Sequence, residues 1–251
     1  DAQEDDKYSN PTQLLAKTDT TDYVSVNLPN IVSSNTTAYN IKFIVEDDCE
    51  AVRFIDGILY SGDGKLLIKA TRSVVGKNIV IPEGVERIGI KAFVRLPPKT
   101  IKFPETLKSV GEDAFYACRF QSIELPESIE VIEKDAFSTS EIKEIYLPKN
   151  LRKIGQTALG YALEKIKISK ENNYFKVTDG VLFSKSSKRL VLVERTKTGD
   201  YEIPKEVTNV DLGAFARLNL SVLTVYAHVK FHELDRFDFL GGKECKKVIK
   251  Q

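Results

Sequence analysis

Between residues 79 and 159 the apolar positions recur every 22 residues, in step with Pro82, Pro104, Pro126 and Pro148. Isoleucine stands three residues before each proline (Ile79, Ile101, Ile123, Ile145), and Ile81, Phe103, Leu125 and Leu147 stand one before. Beyond the proline come Val85, Leu107, Ile129 and Leu151, and then Ile88, Val110, Ile132 and Ile154. Each unit then places an alanine (Ala92, Ala114, Ala136, Ala158) ahead of Phe93, Phe115, Phe137 and, in the fourth unit, Leu159. Gly89, Gly111 and Gly155 precede the alanines, with Glu133 the exception. The alternation at Ile123-Glu124-Leu125 predicts a short strand with its aliphatics inward. The proline ends that strand by withholding a ladder donor.

The register returns at Pro204, with Tyr201, Ile203, Val207, Val210, Ala214 and Phe215, and again without proline at Leu223 and Val225. Ile166 and Ile168 form another pair, with Ser169 in the proline position. Val24, Val26 and Leu28 before Pro29 read as a degenerate first unit. Two insertions interrupt the series, each with an Asp-Gly pair before an apolar run: Asp56-Gly57-Ile58-Leu59-Tyr60 and Asp179-Gly180-Val181-Leu182-Phe183. A polar turn and a second run (Leu66 to Ile68, Leu190 to Val193) follow, so a β-hairpin off one side of the stack is expected at each. A 22-residue unit cannot bury its own apolar face, so the units are expected to stack as a solenoid around one core. About nine units at ~4.8 Å each would give an arc of roughly 40 Å. Alanine at the recurrent position implies a close contact between coils, where a larger side chain would overpack.

The block from Phe103 to Phe115, Leu/Phe-Pro-x-x-Ile/Leu-x-x-Ile/Val-Gly-x-x-Ala-Phe, resembles the BspA-type leucine-rich repeat of bacterial surface proteins. Asn172-Asn173-Tyr174-Phe175 ahead of the second Asp-Gly run is similar to a recurring element of that family. The resemblance runs over roughly residues 40 to 226 and departs at Glu133, Leu159 and Ser169. It implies a mostly β fold with short helical or irregular turns, a right-handed leucine-rich-repeat solenoid carrying the two inserted β-hairpins. It further implies an exported or surface-attached bacterial protein used for adhesion or protein binding. The expected organisation is a tail over 1–22 and one domain over 23–251, with regular repeats over 79–226 and a C-terminal cap over 227–251.

Composition sharpens this only slightly. Of the 251 residues 42% are hydrophobic and 29% charged, which excludes disordered and low-complexity classes. Lys and Arg number 37 against 36 Asp and Glu, so charge gives no reason to expect nucleic acid or an anionic membrane as partner. No apolar run reaches the ~20 residues of a membrane span, so no membrane insertion is expected. The chain starts at Asp1 and has no methionine, as a chain processed by signal-peptide removal would. An extracellular or cell-surface monomer is the expectation. Cys49, Cys118 and Cys245 lie far apart with no CxxC spacing, which excludes a zinc ribbon or thioredoxin-type pair.

Candidate chemistry is sparse. His228 and His232 are the only histidines; on a helix, with Glu233 nearby, they would share a face, but the alternation of Leu223, Val225, Ala227, Val229 and Phe231 predicts a strand. Four strand residues separate such rings by ~13 Å, too far for one metal. Gly62-Asp63-Gly64-Lys65 lacks the P-loop pattern and reads as a turn. Cys118 falls where sister units carry Leu96, Ser140, Ala162 and Leu218, which fits a buried inert thiol. The carboxylates Glu124, Glu127, Glu130, Glu141, Glu144 and Glu202 read as a solvated face, since the repeat supplies no cleft to pair them. Asn35-Thr36-Thr37 and Asn219-Leu220-Ser221 match the glycosylation sequon, which matters only in a eukaryotic secretory route. No catalytic residue, cofactor or metal is expected.

A partner would meet the outward side chains between buried strand positions. One column is Val80, Lys102, Glu124, Tyr146 and Glu202; its neighbour is Asn78, Thr100, Ser122, Glu144 and Asp200. Tyr146 is their only aromatic, and aromatic anchors are enriched at binding hot spots. The tips Ser61 to Gly64 and Ser184 to Lys188 are a second candidate. The reading is a non-enzymatic surface module that binds a protein or glycan through this face. A spacer within a longer surface protein, and an enzyme with its site at a hairpin or the cap, are the alternatives.

Overall fold

The computed structural model describes residues 13–17, 23–27, 42–44, 52–186, 188–211, 213–231 and 245–251. Cys49, the Asn35 sequon, His232, Glu233, most of the expected tail and the middle of the expected cap lie outside the described residues. The strands begin with β1 (Gln13–Lys17), β2 (Tyr23–Asn27) and β3 (Lys42–Ile44). The first insertion gives β4 (Val52–Ile55), β5 (Ile58–Ser61) and β6 (Leu66–Ala70). The regular units give β7 (Asn78–Val80), β8 (Arg87–Ile88), β9 (Thr100–Lys102), β10 (Ser109–Val110) and β11 (Val131–Ile132). They continue with β12 (Glu144–Leu147), β13 (Lys153–Ile154) and β14 (Lys165–Ile168). The second insertion forms β15 (Phe175–Thr178), β16 (Val181–Ser184) and β17 (Arg189–Val193). The chain closes with β18 (Thr198–Glu202), β19 (Asn209–Val210), β20 (Asn219–Tyr226), β21 (Lys230–Phe231) and β22 (Lys246–Lys250). The described residues contain no α-helix; one 3-10 turn spans Arg72–Val74.

Each turn of this β-solenoid is held to the next along three lines. The strand ahead of the proline pairs in parallel with its counterpart one unit on, as in β7–β9, β12–β14 and β18–β20–β22. The proline carbonyl then closes a tight turn by accepting the N–H three residues on, Leu107 to Pro104 and Leu151 to Pro148 among them. That turn delivers a two-residue strand centred on the next apolar position, and β8, β10, β11 and β13 pair in parallel through Ile88, Val110, Ile132 and Ile154. The third line is the Ala-Phe pair. The Phe93, Phe115 and Phe137 N–H groups donate to the carbonyls of Ala114, Ala136 and Ala158, and the alanines are buried. This close approach stacks the rings at 4.9 Å (Phe93–Phe115) and 5.3 Å (Phe115–Phe137), so the phenylalanines form a column through the core.

The insertions differ from the hairpins expected beside the stack. Each is a three-stranded antiparallel meander, β4–β5–β6 or β15–β16–β17, whose first turn is the two-residue Asp-Gly loop. Asp56 and Gly57 have φ of 50° and 84°, the left-handed pair such a turn demands. The last strand of each meander joins the short-strand line in parallel, β6 to β8 and β17 to β19, so the meander continues the stack. Its apolar runs are buried on both faces, which is why they do not alternate with polar residues. Leu182, Val191 and Leu192 enter the large core of the regular units, whereas Val181, Phe183, Leu190 and Val193 enter a second core with Ile203, Phe215 and Leu223. The second meander is thus a partition between two cores. The strand β2, in the expected degenerate first unit, pairs antiparallel with β1 and not in the parallel manner of a repeat.

Candidate functional site

The strands before the prolines carry Val80, Thr100, Lys102, Glu144, Tyr146 and Glu202 outward. Val80 is 68% exposed and Tyr146 43%, while Thr100, Lys102, Ser122, Glu124, Glu144 and Glu202 are also exposed. Register pairs Asn78 with Thr100 and Val80 with Lys102, and the Thr100 hydroxyl donates to Asn78 Oδ1 at 2.9 Å. Tyr146 lies opposite Lys167 of β14, and Glu144 accepts from the Lys167 ammonium, which holds its carboxyl below the usual range. Glu202 belongs to a different sheet, beyond β14 and the second meander. It accepts from Lys250 Nζ (2.8 Å) and the Tyr226 hydroxyl (2.6 Å), and these bonds lower its pKa.

The column is also interrupted at its centre. Gln121 to Leu125, which carry Ser122 and Glu124, form no strand, so the line stops at β9 and restarts at β12. Between β9 and this segment lies a groove of about 810 Å³, lined by residues 98–103, 105 and 119–126. The sequence contains a signal for it. Phe120 occupies the position held by Pro98 and Ile142 in the adjoining units, and its ring packs edge-on against both Phe115 (5.5 Å) and Phe137 (6.5 Å). A ring placed there requires more core volume than its counterparts, and the chain that follows leaves the ladder. The 22-residue period itself is intact across this point, which is why the repeat pattern implied no cleft.

Electrostatics set the groove apart. Elsewhere on the stack a cation bonds to a carboxylate about one unit away, as Lys108 does to Glu86 (2.9 Å), Arg152 to Glu130 (3.1 Å) and Lys153 to Glu133 (2.9 Å). Around the groove the side chains of Lys99, Lys102, Arg119, Glu105 and Glu124 have no ion pair or hydrogen bond among the described residues. Lys102 and Glu124 hold equivalent places in adjacent units, yet the groove keeps them apart.

The groups considered for chemistry are engaged structurally. Cys118 is buried, its Sγ donates to the Phe93 carbonyl at 3.1 Å, and burial pushes the thiol up to about 12. His228 directs Nε2 at the carbonyls of Lys205 (3.0 Å) and Val207 (3.2 Å). Ser61 to Lys65 is a self-contained turn, in which Asp63 accepts from the Ser61 hydroxyl and the Lys65 N–H, bonds that lower its pKa. Among the described residues no three His, Cys, Asp or Glu side chains gather as a metal site, and no helix is long and apolar enough to cross a membrane.

Residues 73–188 match the family model described as the BspA type leucine rich repeat region, in six copies. The fold is similar to that of the pneumococcal vaccine antigen PcpA, with a TM-score of 0.57 and 19% identity over 78% of this chain and 70% of that one. It is also similar to a leucine-rich cell surface protein from Faecalibacterium prausnitzii, with a TM-score of 0.50 and 16% identity over 82% of this chain and 78% of that one. No curated protein matches the sequence.

Proposed function

We propose, from the premise that residues 73–188 are a BspA-type leucine-rich repeat region, that this chain is a non-enzymatic protein-recognition module displayed on a bacterial cell surface. The observation that carries the reading is the exposure of Val80 and Tyr146 on strands locked into parallel ladders. An aliphatic and an aromatic side chain held rigidly among charged neighbours supply contact area at little ordering cost, as an interface anchor does. With one exposed aromatic in the columns, the face suits a protein partner better than a glycan that needs several stacking rings. The surface location of the F. prausnitzii protein and the antigenic nature of PcpA support display outside the cell.

The test is a solid-phase binding screen of the purified chain against host matrix proteins and glycans, run beside a Val80→Asp/Tyr146→Ala variant. The expected result is a protein partner whose binding falls about tenfold or more in the variant. A partner bound equally by both proteins would move the site off this surface. Binding to glycans alone would replace the protein partner with a carbohydrate, and silence across the panel would favour a spacer.

A further inference from the structure

We propose that the groove between β9 and residues 121–125 accepts an acidic polypeptide segment in extended conformation, which adds as a strand to the open edge of β9. The proposal rests on the reading of the chain as a protein-recognition module, but not on the Val80–Tyr146 surface.

Backbone chemistry identifies the occupant. On the β7 side the Thr100 N–H donates to Lys77 and the Lys102 carbonyl accepts from Ile81. Strand alternation therefore turns the N–H and C=O of Ile101, between them, toward the groove. On the opposite wall Gln121 to Leu125 make no backbone hydrogen bond among the described residues, although the equivalent stretch of β12 is bonded throughout to β14. The β9 wall thus offers the N–H and C=O of Ile101, and the opposite wall a run of backbone groups without a hydrogen-bond partner among the described residues. The ligand that answers such an edge is another extended chain, through β-augmentation. Five strand residues span about 17 Å. The groove's 810 Å³ has the capacity for such a segment, and half-buried Ile101 and Leu125 line it to receive alternate side chains.

Charge fixes the chemistry of that chain. Lys99, Lys102 and Arg119 face the groove against Glu105 and Glu124, and none of these side chains is engaged within the described molecule. The cation excess favours carboxylates on the incoming strand, which would restore the cation–carboxylate bonding found along the rest of the stack.

The test uses fluorescence anisotropy of the full chain with a labelled octapeptide alternating Glu and Val. The expected outcome is saturable binding, about tenfold weaker for the same peptide N-methylated at alternate residues, which removes ladder donors while keeping the side chains. A Lys-Val peptide, or a Lys102→Glu/Arg119→Glu variant, should also weaken binding about tenfold. Both substituted residues are exposed, so the variant keeps the core intact. Amide hydrogen exchange should show new protection at Ile101 and within 121–125. No binding up to about 1 mM, equal binding of the N-methylated peptide, or undiminished binding by the charge variant would each overturn the proposal. A Val80→Ala/Tyr146→Ala variant, which places no new charge opposite Lys102, should bind the peptide normally. A protein from the panel held through Val80 and Tyr146, with no peptide binding, would sink the groove alone. Peptide binding with a silent panel would sink the Val80–Tyr146 surface alone.

Discussion

A Cβ on Gly155 would lie 2.3 Å from the backbone nitrogen of Lys134 and 2.6 Å from the Glu133 carbonyl carbon, so this glycine is required by the approach of two coils. Gly155→Ala should therefore cost about 1–3 kcal/mol, read as a lowered urea midpoint, because the obstructing atoms are backbone and cannot rotate away. Left-handed backbone falls elsewhere in the unit. Lys91, Asp113, Asp135 and Thr157 share one repeat position and have φ near 55°, a regularity that the side chains, one basic, two acidic and one hydroxyl, did not advertise. Lys69 supplies a pH signature. It is largely buried, Nζ donates to the Lys91 carbonyl at 2.8 Å, and burial, reinforced by the Lys91 charge, lowers its pKa from 10.5 to about 8. The unfolded chain therefore holds this proton more tightly than the folded one. Lys69 destabilises the fold fully below about pH 8, and that cost disappears as pH rises toward 10.5. Denaturant midpoints at pH 7.5 and 9.5 should rise in the wild type relative to Lys69→Met; parallel changes in the two proteins would refute this.

At the scale of elements the short strands and the meanders decide the architecture. The strands before the prolines were legible because one face is buried and the other is wet, as in the exposed–buried alternation of β12. The two-residue strands β8, β10, β11 and β13 were legible only as conserved spacing of Ile88, Val110, Ile132 and Ile154, since two residues carry no periodicity. The meanders misled for the opposite reason. Val181-Leu182-Phe183 and Leu190 to Val193 are uninterrupted apolar runs, and a hairpin projecting into solvent would have alternated. The first strands, β4 and β15, are not legible because an Asp-Gly pair ahead of an apolar run marks the start of a strand as readily as the turn between two. Leu182→Ala should cost about 2–5 kcal/mol, measured by chemical denaturation, because it opens a cavity at a wall that cannot collapse from either side. A loss below about 0.5 kcal/mol, typical of a surface site, would contradict the partition.

For the whole molecule, two cores divided by β15–β17 make stability a matter of neighbouring layers. Leu223→Ala, in the smaller core, should speed amide exchange across β18–β22 while β8–β13 keep their protection; uniform loss would show the cores to be one cooperative unit. The sequence alone determined the period, the inward residues, the stacking and the outward columns. A unit of 22 residues has no other way to bury its leucines and isoleucines, and identical units must place equivalent side chains in rows. Tertiary structure decided where the rows break. Whether Lys102 meets Glu124 depends on how the Phe120 ring packs against Phe115 and Phe137, a competition for core volume between units that the spacing of prolines does not record. It also decided that the insertions close into the stack, because burial of their second face depends on residues far along the chain, from Ile203 to Leu223.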